Sequence, residues 1–170
     1  LLGAILLVLI GIGIGKFILG NKPKQVLGPT FFESGSSGIT SNGEPTKIKD
    51  GARHEVKDGE SIQAAVAKAN PGDVILVYSG TYSETVYIDK DNIRVHGVIE
   101  NGERPTLNGN KQLNDAFLYS GNGITIENFK IIDYKGNGIM GQAGNNFIIK
   151  NNLIINTGVY GIFPQYGKNG

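Results

Sequence analysis

An internal repeat places the tightest constraint on what this chain can fold into. When the sequence is shifted by 23 residues, segment 121–140 aligns with segment 144–163, and eight of the twenty aligned positions are identical. A period of this length is too short for a propeller blade, and it lacks the leucine pattern of a leucine-rich repeat. It fits one rung of a parallel β-helix, meaning one circuit of the coil, with rungs stacked about 4.8 Å apart.

The aligned residues also predict how each rung is built. Asn128 and Asn151 fall at the same corner between strands, where stacked amide side chains hydrogen-bond from rung to rung. Gly138 and Gly161 are expected at corners that need unusual backbone angles. The side chains predicted to point inward and stack like on like are Ile124/Phe147, Ile126/Ile149, Ile131/Ile154 and Ile139/Ile162.

Short apolar runs bounded by Gly, Asn or Asp predict the individual strands. Segment 93–95 precedes segment 124–126 by 31 residues rather than 23. We assign this excess to a polar loop over residues 100–114 that projects from the coil. The predicted strands are 74–78, 85–88, 93–95, 124–126, 130–132, 147–149 and 153–155.

A single helix is predicted over residues 61–69. Its apolar residues recur at i, i+3, i+4 and i+7, which gives one apolar face. The helix ends before Pro71, because proline cannot continue the hydrogen-bond ladder. We expect it to cover the open N-terminal end of the coil, as solenoids require a cap. The residues of the apolar face are Ile62, Ala65, Val66 and Ala69.

Residues 1–20 predict a single transmembrane helix or uncleaved signal anchor. Leu1–Gly15 carries no charge, and Lys16 lies one turn from the end, where its side chain reaches the interface. A cleaved signal peptide is the alternative, but no small-residue cleavage site lies close behind the apolar run. Lysines after the segment favour a cytoplasmic location for its C-terminal flank, unless basic residues precede Leu1. Gly11 and Gly15 form one small-residue pair of the kind found in helix packing.

Residues 21–50 predict a flexible linker, because Gly, Ser, Pro, Thr and Lys occur there without any period. Residues 51–170 are then the N-terminal rungs of a truncated parallel β-helix. Segment 167–169 aligns with segment 144–146, so a new rung is expected to begin at Gly170. We therefore expect the chain to be part of a longer protein.

Composition excludes several classes of function. The net charge is +1, which argues against a nucleic-acid binder that works through bulk basicity. The sequence contains no Cys, which rules out disulfides, thiolate metal sites and a cysteine nucleophile. No phosphate loop, serine-hydrolase elbow or zinc-protease motif is present. The charged residues are spread along the chain and indicate no catalytic constellation.

The candidate site is the outer face of the strands that contain segments 93–95 and 124–126. On this face the outward residues of successive rungs are Arg94, Thr125 and Ile148, and His96 lies after Arg94 on the same side. Arg94 and His96 could hold a sugar carboxylate by charge-assisted hydrogen bonds. The competing interpretation is an ordinary solvated exterior.

No metal site is predicted elsewhere. His54 lies beside Arg53 at the end of the linker, and an isolated histidine is not a metal site. The scattered acidic residues are expected to form turns rather than to bind calcium. Tyr160, Phe163 and Tyr166 could stack on sugars, or could pack beneath a further rung. The acidic residues in question are Glu84, Asp89, Asp91, Asp115 and Asp133.

Three stretches resemble the opening of the right-handed parallel β-helix superfamily. They are Gly59–Asp89, Ile93–Gly97 and Pro105–Asn110, and the rungs over 121–163 are similar to its generic repeat. The superfamily includes pectate lyases, pectin methylesterases, alginate lyases and epimerases, and NosD-type periplasmic proteins. The resemblance implies a right-handed coil, export to the periplasm or cell exterior, and contact with acidic polysaccharide. It also implies that Ca²⁺ is a candidate cofactor.

The resemblance assigns no catalytic residue in this chain, because fold does not fix function. The leading expectation is a membrane-tethered domain that binds or processes polysaccharide. One alternative is a non-catalytic scaffold subunit of a membrane protein complex, and another is a NosD-like metal-delivery protein. The expected partners are therefore polysaccharide or membrane subunits, with no nucleic acid.

Overall fold

The computed structural model describes residues 51–170 together with two short strands before them. Those strands, β1 (Gly38–Ile39) and β2 (Pro45–Thr46), pair antiparallel within the segment predicted to be a linker. The predicted membrane segment 1–20 and the rest of the linker lie outside the described residues. Among the residues that are described, no helix is long and apolar enough to cross a membrane.

Residues 51–170 form a parallel β-solenoid, which confirms the predicted coil architecture. Three parallel sheets run along it, with non-consecutive strands as neighbours. Sheet I contains β3 (Arg53–Val56), β4 (Val74–Val77), β7 (Arg94–Gly97), β10 (Thr125–Glu127) and β13 (Ile148–Lys150). Sheet II contains β5 (Thr81–Tyr82), β8 (Thr106–Asn108), β11 (Lys130–Ile132) and β14 (Leu153–Ile155). Sheet III contains β6 (Val86–Ile88), β9 (Phe117–Tyr119), β12 (Ile139–Gly141) and β15 (Ile162–Pro164).

The strand register confirms the 23-residue repeat. In the last two rungs Thr125 pairs with Ile148, Lys130 with Leu153, and Ile139 with Ile162. Every predicted inward pair is therefore in register. Ile124, Ile126, Ile131 and Ile139 are fully buried, whereas their partners in the last rung are only partly covered or exposed.

The predicted loop over residues 100–114 is wrong in part, because β8 lies inside it. Thr106 pairs with Lys130 in the next rung and with Thr81 in the previous one. The extra residues of this rung divide between two corners. Eight residues separate β7 from β8, where two separate β10 from β11, and eight separate β8 from β9, where six separate β11 from β12.

Asparagine, rather than glycine, shapes the corners. Eight of the eleven non-glycine residues with positive φ in the described part are Asn. Asn tolerates the left-handed region because its side chain can hydrogen-bond locally. Gly138 and Gly161 do not have positive φ, so the prediction about them is wrong. Gly138 is needed for space, since a Cβ there would lie 2.6 Å from the Gly161 carbonyl oxygen.

The helix α1 (Ile62–Lys68) lies within the predicted segment and packs on β3, β4 and β6. Its Ile62 and Val66, together with Ala69 just beyond its end, are buried in the core. Ser61 is the N-cap, and its Oγ accepts a hydrogen bond from the Ala64 amide at 3.1 Å. A helix this short is marginal by itself, so packing and end contacts hold it.

Both ends of α1 are held by charged side chains that flank β6. At the N-terminal end, Glu84 accepts hydrogen bonds from the amides of Ile62 at 2.8 Å and Gln63 at 3.0 Å. At the C-terminal end, Lys90 Nζ donates to the carbonyls of Val66, Ala67 and Ala69 at 2.7 to 3.0 Å. The charges have the signs that complement the helix dipole.

Candidate polar site on sheet I

The outer face of sheet I brings the predicted site residues into a regular array. Side chains alternate along each strand, so every second residue of β7, β10 and β13 points outward. The first outward column contains Arg94, Thr125 and Ile148, as the repeat predicts. The second column contains His96, Glu127 and Lys150. Along each strand the two columns are about 7 Å apart.

The second column is a chain of three ionisable groups across three rungs. His96 Nδ1 lies 3.0 Å from Glu127 Oε1, and Lys150 Nζ lies 3.1 Å from Glu127 Oε2. The Glu127 side chain is 11% exposed, whereas that of Lys150 is 61% exposed. The carboxylate is therefore largely withdrawn from water and has a cationic or potentially cationic neighbour on each side.

The surroundings keep Glu127 ionised. The hydrogen bond from His96 lowers the pKa of this carboxyl most, and the bond from Lys150 lowers it further. Burial acts in the opposite direction, because it disfavours the charged form. The net effect is a pKa below the usual value, so Glu127 is an anion at neutral pH and balances its two neighbours.

Arg94 is a cation of this face whose side chain has no counter-charge among the described residues. It is half-buried between Val74 and Thr125 in its column, and its guanidinium forms no hydrogen bond or ion pair with any residue that the structure describes. A guanidinium presents a rigid fork of donors that matches a carboxylate. Arg94 therefore leaves the array on β7, β10 and β13 with one unbalanced positive charge.

The array ends at β4, where the outer face becomes apolar. Val74 and Leu76 continue the two columns towards the N-terminal end and are only 9% and 8% exposed. The apolar outer face of β4 thus separates the polar array on β7, β10 and β13 from Arg53 and Glu55, which continue the same two columns on β3. Within the array, charged hydrogen bonds and proton exchange through His96 are the available chemistry.

The residues of this face do not fit a calcium ion. Calcium takes about six to eight oxygen ligands, but Glu127 is the one carboxylate in the array and both its oxygens are engaged by His96 and Lys150. Across the described residues there is no group of three or more His, Cys, Asp or Glu side chains that could hold a metal.

The other histidine forms a second ion pair at the N-terminal end of the coil. His54 belongs to β3 rather than to a linker, which corrects its predicted place. Its Nε2 lies 2.8 Å from Asp73 Oδ2, and Asp73 also accepts hydrogen bonds from the Ala52 and Asn70 amides. These hydrogen bonds lower the pKa of Asp73, the largest effect coming from His54. The pair joins β3 to the next rung.

The predicted asparagine ladder is present beside the site. Asn151 Nδ2 donates to Asn128 Oδ1 at 2.6 Å, and both residues have positive φ. Arg104, from the longer corner between β7 and β8, donates to the Asn151 carbonyl and to Asn151 Oδ1 at 3.0 and 3.2 Å. That corner therefore reaches across two rungs and closes one side of the polar face.

Four of the five scattered acidic side chains have hydrogen-bond partners, while that of Asp89 has none among the described residues. Glu84 bonds to α1, and Asp133 accepts from Asn156. Asp91 Oδ1 accepts from the backbone amide and Nδ2 of Asn122, and Asp115 Oδ1 accepts in the same way from Asn137. Asn122 in turn accepts from Asn145. These contacts form rung-to-rung ladders that begin with Asp. Tyr160 and Phe163 do contact each other, with ring centroids 5.0 Å apart.

Sequence reasoning missed Glu127 and Lys150. The 31-residue offset that aligns Arg94 with Thr125 also aligns His96 with Glu127, so extending the matched strands by two residues would have found the pair. The 23-residue offset then places Lys150 next. Local sequence carries no signal for the cluster, because its members meet only through the register.

Comparison with known proteins assigns no family to this chain. No protein-family model, no curated protein and no solved structure matches this chain.

Proposed function

We propose that this chain is a membrane-tethered, right-handed β-helix domain that binds an acidic polysaccharide on the outer face of sheet I. The membrane tether is residues 1–20, which have the length and composition of a transmembrane helix. The handedness, the placement outside the cytoplasm and the ligand class come from the resemblance to the pectate lyase-like superfamily. The polar array on sheet I supplies the basic side chains that would bind the carboxylates of the polysaccharide.

One observation carries the choice of ligand. Arg94 and His96 lie on one rung and Lys150 lies two rungs further on, while the rung between them carries a single carboxylate, Glu127, which is saturated by His96 and Lys150. The surplus charge rests on the Arg94 guanidinium, and the Lys150 ammonium, paired with Glu127 on one side, keeps further donors for a ligand. A polymer with repeated carboxylates can bind Arg94 and Lys150 at once. Once one carboxylate is bound, the next is held close to the second cation, which strengthens binding of the polymer as a whole.

The function is tested by measuring binding of polygalacturonate and alginate to the full chain in detergent micelles. We expect the double variant Arg94→Ala/Lys150→Ala to weaken binding at least about tenfold, since charge-assisted hydrogen bonds contribute about 1.5–3 kcal/mol each. The matched control is Lys130→Ala, which removes an outward lysine from sheet II. A neutral polysaccharide should bind to none of the proteins.

Two results would contradict the proposal. The wild-type chain could fail to bind either uronate polymer at low ionic strength, or the double variant and Lys130→Ala could weaken binding equally. The same samples also report turnover, through the ultraviolet absorbance of the unsaturated sugar that a lyase produces. Binding with no absorbance change assigns a binding domain, and a change that depends on His96 assigns an enzyme.

A further inference from the structure

Sheet III carries an apolar stripe along its outer face. Each of its strands is three residues long, so only the middle residue points outward while its neighbours face the core. The register places these middle residues in one column, and Tyr87 is 39% exposed while the other three are half-buried. The column, which we call the sheet III stripe, consists of Tyr87, Leu118, Met140 and Phe163.

The stripe differs from the outer faces of the other two sheets in having no charged or amide residue along its length. Sheet I presents Arg94, His96 and Glu127 outward. Sheet II presents Thr106, Asn108 and Lys130 as well as the apolar Ile132, Leu153 and Ile155. Along sheet III there is no charged or amide side chain over four rungs, a length of about 14 Å. Tyr160, which is 53% exposed and packs on Phe163, widens the stripe at one end.

We propose that the sheet III stripe rests on the surface of a lipid bilayer, which orients the solenoid relative to the membrane. The inference relies on the membrane tether of the proposed function. A 30-residue segment, 21–50, separates the apolar residues 1–20 from the solenoid. This short tether keeps the bilayer at high local concentration, so a small apolar contact suffices. Tyrosine at either end of the stripe suits the membrane interface.

The exposed charges beside the stripe agree with a lipid surface. Lys111 and Lys135 are exposed and occupy the corners that lead into β9 and β12, the two central strands of sheet III. Asp115 and Asp133 lie in the same corners, but they are half-buried and accept hydrogen bonds from Asn side chains. Lysines placed beside an apolar surface can reach anionic headgroups while the apolar side chains enter the interface.

The dimensions of the stripe disfavour other occupants. A stable dimer buries about 800 Å² on each partner, far more than a column one residue wide and four residues long. A saccharide needs hydrogen-bonding groups as well as apolar surface, whereas Leu118 has none and the weakly accepting Met140 thioether is already bonded to Asn137 Nδ2. A bilayer requires only apolar contact with flanking positive charge.

Because the sequence contains no Cys, a single introduced cysteine is the only site that a thiol-reactive label can modify. The full chain carrying Met140→Cys is labelled with an environment-sensitive fluorophore and reconstituted into phosphatidylcholine–phosphatidylglycerol vesicles. A nitroxide on the lipid chains then quenches labels that touch the bilayer. We expect at least a threefold greater quenching at position 140 than at the matched control Lys130→Cys on sheet II. Leu118→Cys provides a second position on the stripe.

Flotation of the vesicles separates failure of the tether from failure of the stripe. If the chain floats with the vesicles but positions 118 and 140 are quenched no more than position 130, the stripe does not touch lipid and the proposal is overturned while the tether stands. The same holds if these labels are protected from both the lipid nitroxide and aqueous iodide, because protein or saccharide then covers them. If the chain does not float, the tether and the stripe proposal both fail.

Discussion

At the scale of single residues, two buried tyrosines differ only in whether the hydroxyl has a partner. Tyr119 is fully buried, its hydroxyl makes no hydrogen bond within the described structure, and burial raises its pKa to about 12. Tyr134 is also buried, but its hydroxyl donates to the Glu84 carbonyl at 2.7 Å. An unpaired buried hydroxyl costs free energy, whereas a paired one stabilises by about 1 kcal/mol.

Removing each hydroxyl should therefore change stability in opposite directions. We expect Tyr119→Phe to raise the free energy of unfolding by about 1 kcal/mol and Tyr134→Phe to lower it by a similar amount. Urea unfolding of the full chain in detergent micelles, monitored by circular dichroism, measures both. Destabilisation by both substitutions would mean that the Tyr119 hydroxyl has a partner, such as a buried water.

The residue scale also shows what sequence could and could not predict about the corners. Asn128 and Asn151 were found because they repeat at 23 residues, and the ladder between them is present. The conformational role given to Gly138 was wrong, because sequence does not distinguish a glycine that needs positive φ from one that needs space. Only the position of the Gly161 carbonyl and the Ile154 side chain makes that distinction.

At the scale of elements, α1 illustrates a short helix held by long-range contacts. The spacing of its apolar residues predicts its buried face. The hydrogen bonds that Glu84 and Lys90 make with its ends could not be predicted in this way, because both residues lie more than 20 positions from these partners in the sequence. Dependence on distant residues also explains why strands such as β5, β9 and β12 were not predicted from the sequence. A two-residue strand such as β5 has no local signature and exists because neighbouring rungs supply its hydrogen bonds.

We expect Lys90→Met to lower the free energy of unfolding by about 1–3 kcal/mol, because it leaves two carbonyls of α1 and the carbonyl of its C-cap Ala69 without their charged donor. Methionine retains the length and apolar stem of the side chain. Lys57→Met, at an exposed position outside the helix, controls for the loss of one positive charge. Equal unfolding midpoints for the two variants would show that Lys90 does not hold the helix.

At the scale of the whole molecule, carboxylates with ionisable partners join successive rungs. Asp73 links β4 to β3 through His54, and Glu127 links β10 to both β7 and β13. A solenoid is stabilised chiefly by contacts between neighbouring rungs, so the protonation of these two groups bears on the stack as a whole. Both pKa values are lower in the folded chain than the ordinary values of 3.8 for Asp and 4.5 for Glu.

A folded-state pKa below the unfolded value stabilises the fold above the unfolded pKa, and this contribution is lost as pH falls through the folded value. We therefore expect the contribution of Glu127 and Asp73 to the free energy of unfolding to be constant near neutral pH, to begin falling at about pH 4.5, and to fall further below pH 3.8.

Glu127→Gln and Asp73→Asn should each make this acid limb, meaning the loss of stability below about pH 4.5, less steep. Urea titrations from pH 7 to pH 2.5 measure it, with Glu103→Gln as the control for loss of one negative charge. An acid limb as steep in the Glu127→Gln/Asp73→Asn double variant as in the wild type would show that these ion pairs do not hold the rungs together.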